Sequence, residues 1–251
     1  MSKVQRIAQC IRLKLSRLKL SARFENVVSL KTLHSLLPRL MFTRVPEGIG
    51  GWMSFDEQRA LYALARYSRG PLLEIGPWLG ISTICIARGI LDSGVSKEFL
   101  TCELAPTLDN FRAVDDHLVG FFYPKESEAA MGVGSLEIFE RDIKPVLEHP
   151  EGLLGQLRSN LANMKVADIV SIFVGDFRSS PARRYQFVFS DAMHDENEIN
   201  RNAPDLRRFV SEGTILACHD SNEENEKCLR NYFKFGYSFT VGSLFVGEVI
   251  N

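Results

Sequence analysis

The chain has 251 residues, enough for one large domain with an appendage, and 45% of them are hydrophobic, which supplies a real core. A formal net charge of −1 argues against nonspecific nucleic-acid binding by the chain as a whole. The five cysteines (Cys10, Cys85, Cys102, Cys218 and Cys228) have no CxxC spacing. They read as small buried hydrophobes in a reducing, cytoplasmic setting rather than as disulfides or zinc ligands, and no apolar run approaches the ~18 residues of a membrane span.

Residues 1–24 carry seven Lys or Arg and no acid. Val4, Ile7, Ala8, Ile11, Leu15 and Leu18 fall on one helical face, so residues 1–50 are expected to open with a basic amphipathic helix. Three uses of it stay open: packing on its own domain or a sister subunit, peripheral docking on a membrane, or an anion-attracting arm. A second short helix should end before Pro38. Ser54 and Glu57 have the spacing of a capping box at the start of a helix from Phe55 to about Tyr67.

Residues 71–83 read Pro-Leu-Leu-Glu-Ile-Gly-Pro-Trp-Leu-Gly-Ile-Ser-Thr, a buried strand, a tight loop and a helix start. Glycine permits positive φ and close backbone approach to a ligand, and a helix start offers unpaired N–H groups. The loop from Glu74 through Gly76 and Gly80 to Ser82 therefore suits a nucleotide-like ligand. The second strand, Glu98–Glu103, ends in an acid 23 residues after Gly80, where a carboxylate can accept from both hydroxyls of a ribose. Residues 104–151 follow no period and are expected to be an insertion with its own helices over the site. Asp115, Asp116 and His117 within it are metal-ligand types but fit a solvated helix face.

Thereafter the chain alternates: a helix over 153–164, a strand over 166–176, a strand over 185–191, a helix over 196–209, a strand over 213–220 and a helix over 222–233. A closing antiparallel pair turns at Gly242. This predicts an α/β fold, a doubly wound and mostly parallel seven-stranded sheet with its last strand antiparallel. Glu74–Gly76, Glu103, Gly175-Asp176, Asp191 and His219-Asp220 should then converge on one edge, where such sheets bind ligands.

The order Glu74-x-Gly76-x-x-x-Gly80, Glu103, Gly175-Asp176-Phe177, Asp191, Gly213 and His219-Asp220 resembles a class I S-adenosylmethionine-dependent methyltransferase. Phe189–His194, followed by Cys218–Ser221, is similar to the metal-dependent small-molecule O-methyltransferases of catechol and macrocin type, and so is Gly51–Ser54. The resemblance implies a methyltransferase domain over residues 51–251 that transfers a methyl group to an oxygen of a small molecule. By it, Glu74, Gly76, Gly80 and Ser82 would hold the methionine end of the cofactor, Glu103 its ribose, and Asp176 with Phe177 its adenine. Asp191 would border both cofactor and reaction. Asp191, His219 and Asp220 match positions of metal ligands, for Mg²⁺ or, given the histidine, Mn²⁺. His194 would serve beside Asp191 as general base, since an unperturbed imidazole titrates near ~6.5. Two rivals remain, an NAD-dependent oxidoreductase and a non-catalytic module keeping the fold. The dinucleotide reading lacks the Gly-x-Gly-x-x-Gly spacing.

Overall fold

The computed structural model describes residues 29–45 and 48–251; the basic segment over 1–24 lies outside them. Helix α1 (Leu30–Leu36) starts at Ser29, whose side chain accepts from the Thr32 amide, and Pro38 sits in a 3₁₀ turn, Leu37–Arg39, that ends it. His34 stacks on Phe239 at 3.9 Å between ring centroids, and Leu30, Leu33 and Leu37 share the main core with the sheet. Helix α2 (Phe55–Tyr67) has the expected capping box: Glu57 Oε2 accepts from the Ser54 amide at 2.6 Å, and Ser54 Oγ accepts from the Glu57 amide at 3.4 Å.

Strand β1 (Leu72–Ile75) leads into α3 (Ile81–Ser93), and β2 (Phe99–Glu103) follows. Residues 104–151 form more than the expected helices. Strands β3 (Phe111–Ala113), β4 (Leu118–Phe121) and β5 (Gly132–Ser135) make a separate antiparallel sheet, followed by short helical turns to Glu148. Asp115, Asp116 and His117 are exposed in the β3–β4 turn, not on a helix; Asp115 Oδ1 accepts there from the amides of His117 and Leu118.

Then come α4 (Gly152–Asn163), β6 (Val170–Val174), β7 (Phe187–Ser190), α5 (Glu196–Leu206), β8 (Ile215–Cys218), α6 (Glu223–Arg230), β9 (Lys234–Val241) and β10 (Leu244–Ile250). The strands are shorter than their apolar runs. Residues 167–169, ahead of β6, form a 3₁₀ turn, and the polar residues at the other ends turn into loops. Pro204 lies within α5, near its C-terminus.

The main sheet has the order β6-β2-β1-β7-β8-β10-β9, with β10 antiparallel between β8 and β9 and the first five strands parallel. The closing pair falls where the sequence places it. Central strands are buried on both faces: Leu72, Phe187, Phe189 and Ala217 enter one core, and Leu73, Val188, Leu216 and Cys218 the other. The crossovers run from β1 to β2 and β6 on one side and to β7 and β8 on the other. The switch point therefore lies between β1 and β7, where open α/β sheets bind ligands. Among the described residues no helix is long and apolar enough to cross a membrane.

Candidate functional site

Two loops meet at the switch point. The Asp191 amide donates to Ile75 O at 2.9 Å, and a Cβ on Gly76 would lie 2.7 Å from Asp191 O. With φ of 82°, Gly76 is thus fixed by both conformation and space. The loop continues through Trp78, itself at positive φ (49°), to Gly80, the left-handed N-cap of α3. Ala105 and Asp220, at φ of 54° and 52°, also carry positive φ without being glycine. Backbone strain of this kind gathers at functional sites.

Glu74 is fully buried, and Thr83 Oγ1 donates to its Oε2 at 2.7 Å; Oε1 has no hydrogen-bond partner among the described residues. Burial pushes its carboxyl up to about 7. Glu103 accepts from the amides of Ala105 at 2.9 Å and Trp78 at 3.2 Å, and burial raises it to about 7 against those hydrogen bonds. The Glu74 carboxyl adds to the rise at Glu103, and among the described residues neither forms an ion pair with a cation.

The other side of the crevice is already charged. For Asp191, burial alone would raise the carboxyl, but the His194 and His219 imidazoles hold it down at about 2. Asp191 Oδ1 lies 3.2 Å from His219 Nδ1 and 3.4 Å from His194 Nε2. His194 Nδ1 pairs with Glu198 Oε2 at 2.7 Å, and its Nε2 lies 4.0 Å from Asp220 Oδ2. Burial would lower His194, yet Asp191 and Glu198 raise it to about 11. The two carboxylates thus favour the imidazolium form of His194, above the ordinary imidazole range.

His219 is buried, with Nδ1 also 3.5 Å from Asp220 Oδ1 and Nε2 3.7 Å from Glu57 Oε2. Burial would lower it, but Asp191 and Glu57 raise it to about 10. Glu57, read from sequence as a helix cap alone, thus has a second task. Its Oε1 accepts from the Ser243 amide and hydroxyl at 2.7 and 3.0 Å, tying α2 to the β9–β10 turn, and Oε2 faces His219. Burial opposes its ionisation, but these partners hold it at about 2. A Cβ on Gly242, at φ 60°, would stand 2.4 Å from Glu57 Oε1, so the turn needs glycine. In sequence Glu198 was not singled out, although its i,i+4 spacing from His194 is the signal that pairs them.

Asp176 and Phe177 border one cavity, and Asp176 also has local partners. It caps the 3₁₀ turn Phe177–Ser179, and its Oδ2 pairs with Arg178 Nη1 at 2.6 Å. A cavity of about 170 Å³ lies between Glu103, Asp176, Phe177 and Met131. A second, of about 400 Å³, lies between Trp52, Trp78, Phe111, His194 and Asp220, with Ser82 at its wall. Both are bordered by Gly76, Glu103, Phe121 and Asp191. The insertion thus supplies walls to both cavities. One liganding atom each from Asp191, His219 and Asp220 lies within 4.8 Å of the others, the spread expected of donors around one ion. A set of two carboxylates and an imidazole fits Mn²⁺ or a later divalent metal better than Mg²⁺.

A family model described as a methyltransferase domain matches residues 73–221, from β1 to the residue after Asp220. No curated protein matches the sequence. Among solved structures, a methyltransferase from Geobacter sulfurreducens is similar at 16% identity, with 89% of this chain and 98% of that chain covered and a TM-score of 0.50. An O-methyltransferase from Streptomyces achromogenes involved in tomaymycin synthesis, in complex with S-adenosylmethionine, is similar at 17% identity over 80% of this chain and 82% of that one, TM-score 0.47. An O-methyltransferase from Bacillus cereus, in complex with S-adenosylhomocysteine, is similar at 16% identity over 88% and 90%, TM-score 0.45. At such identities the likeness is one of fold.

Proposed function

The chain belongs to the methyltransferase domain family, and from that premise we propose that it transfers a methyl group from S-adenosylmethionine to an oxygen of a small molecule. The observation that carries the reading is the pair of adjoining cavities at the switch point, bordered in common by Gly76, Glu103 and Asp191. The smaller cavity suits adenine beside Phe177 and the ribose at Glu103. The larger suits the acceptor, with Trp52, Trp78 and Phe111 as apolar walls. A cationic sulfonium and amino group between them would meet Glu103 and Asp191, which border both cavities, while the fully buried Glu74, which borders neither, would act on them through its charge alone.

Methyl transfer breaks one carbon–sulfur bond and forms one carbon–oxygen bond, and the acceptor hydroxyl must lose its proton. The protein's share is alignment and charge. Asp191 and Asp220 are carboxylates able to accept from the hydroxyl. The proton that the hydroxyl loses passes to an oxygen of Asp220 or Asp191, and His194, between Asp191 and Glu198, balances their charge and fixes their oxygens. His219, held from behind by Glu57, orients Asp191. Asp191, His219 and Asp220 would hold a divalent metal, His219 giving up a ring proton to do so, and the metal would supply a lowered hydroxyl pKa.

Isothermal calorimetry with S-adenosylmethionine tests the reading. Saturable binding at micromolar to sub-millimolar concentration is expected, and no heat at millimolar cofactor would end it.

A further inference from the structure

The sheet has a second concave edge, remote from the crevice. Residues 210–213 precede β8, Arg184 precedes β7, Lys234 opens β9 and Ile250 ends the antiparallel β10. All lie at the edge where the parallel strands begin, opposite the Asp191–Asp220 edge. They border an open groove of about 1090 Å³, just above the ~300–1,000 Å³ typical of small-ligand sites.

Five cations line it: Arg184, Arg207, Arg208, Arg230 and Lys234. The acid among the lining residues is Glu212, and its Oε2 is taken by Asn251 Nδ2. Among the described residues none of the five cations forms an ion pair, although the chain elsewhere pairs Arg178 with Asp176 and Asp205. Five cations gathered around a single side-chain carboxylate repel one another, and a bound anion would relieve that repulsion.

Backbone carbonyls hold the cluster in place. Arg184 Nη1 donates to Arg207 O at 2.6 Å and to Val210 O, leaving its Nη2 and Nε–H groups unpartnered among the described residues. Arg208 Nη2 donates to Ser180 O at 3.3 Å and to Arg178 O. Arg230 lies over the Phe235 and Phe245 rings, 5.5 and 5.7 Å from their centroids. Guanidinium groups fixed this way present forked donors, a geometry that matches phosphate oxygens. Four of the five cations are arginine.

We propose that this groove binds a phosphate-bearing polyanion, independently of the methyl-transfer site. The whole-chain charge of −1 conceals the site, because its cations are gathered locally from residues scattered over 184–234. The ligand is either a compact polyphosphate or a single-stranded nucleic acid, which share the chemistry the arginines read.

The test uses the full chain, a labelled single-stranded oligonucleotide, inorganic tripolyphosphate and poly-glutamate. Arg207 and Lys234 are exposed and their side chains make no hydrogen bond among the described residues, so the double variant Arg207→Ala/Lys234→Ala leaves folding intact. Basic residues 1–24 contribute equally to both proteins, so the difference reads the groove. Each phosphate contact adds about −0.7 to the slope of log affinity against log salt, so the variant's slope should be shallower by about 1.4 and its affinity about 60-fold weaker at about 50 mM salt. Its affinity for S-adenosylhomocysteine should not change. Displacement of the oligonucleotide by tripolyphosphate assigns the groove to a compact polyphosphate, and failure to displace it assigns a strand. Equal slopes in wild type and variant, no binding of either phosphate probe, or tighter binding of poly-glutamate than of both would overturn the proposal.

Discussion

Replacing Glu103 with Gln removes charge and little volume. The wild-type carboxyl is 5% exposed, accepts from the Trp78 and Ala105 amides, and is raised by burial to about 7. If ribose hydroxyls donate to it, the substitution exchanges charged hydrogen bonds for neutral ones. Hydrogen bonds to a charged group contribute about 1.5–3 kcal/mol and neutral ones about 0.5–1.5, so the exchange costs about 1–1.5 kcal/mol per bond and S-adenosylhomocysteine should bind Glu103→Gln roughly 5- to 13-fold more weakly for each ribose hydroxyl held. The titration supplies a second readout. In the free protein this carboxyl is half protonated near pH 7, whereas a ribose bound to it favours the carboxylate. Binding should therefore release protons near neutral pH and tighten as pH rises from 6 to 8, and the variant should lose its part of both effects, the remainder belonging to Glu74. Calorimetry in two buffers of different ionisation enthalpy measures affinity and proton release together, and thermal melting checks that the variant is folded. A folded variant that binds within threefold of wild type and releases as many protons would refute the reasoning.

Further outcomes follow from the same charges. Glu74 has its folded pKa raised from 4.5 to about 7, so the fold favours the protonated form and its contribution to stability is lost as pH rises from about 4.5 through 7. Glu74→Gln should therefore melt higher than wild type at pH 8, by up to about 3 kcal/mol, with little gain at pH 4, while weakening cofactor binding. Glu57→Gln should lower turnover about tenfold or more through His219 and leave cofactor affinity within twofold, read as a split between kcat and Kd. Chelation should lower turnover and added Mn²⁺ should restore it more fully than Mg²⁺, because the donor set includes an imidazole; turnover indifferent to chelators removes the metal from the account.

The strand ends were legible because an apolar run buried on both faces rarely continues far past an acid. Glu103 ends β2, Asp191 follows β7 and Glu74 is the last residue but one of β1, so all three stand at the switch-point end of the sheet. The capping box at Ser54 was equally plain, being a local pattern. What escaped was whatever depends on distant partners. The charge of His194 comes from Asp191 and Glu198 together, and Glu57 looks like a cap because the oxygens facing Ser243 and His219 meet only in three dimensions. The small sheet within residues 104–151 was hidden by its brevity. Its strands are three or four residues long, and Gly120, Gly132 and Gly134 blank the alternation that would announce them. The arginine groove is assembled from several loops, none of which is a basic run.

The most direct test of the central claim is a crystal structure of the full chain with S-adenosylhomocysteine. The account predicts adenine beside Phe177, ribose hydroxyls within hydrogen-bond reach of Glu103, and the sulfur aimed at the cavity between Trp52 and Asp220. A cofactor bound away from Gly76 and Glu103, or with its sulfur turned from Asp191 and His194, would contradict it.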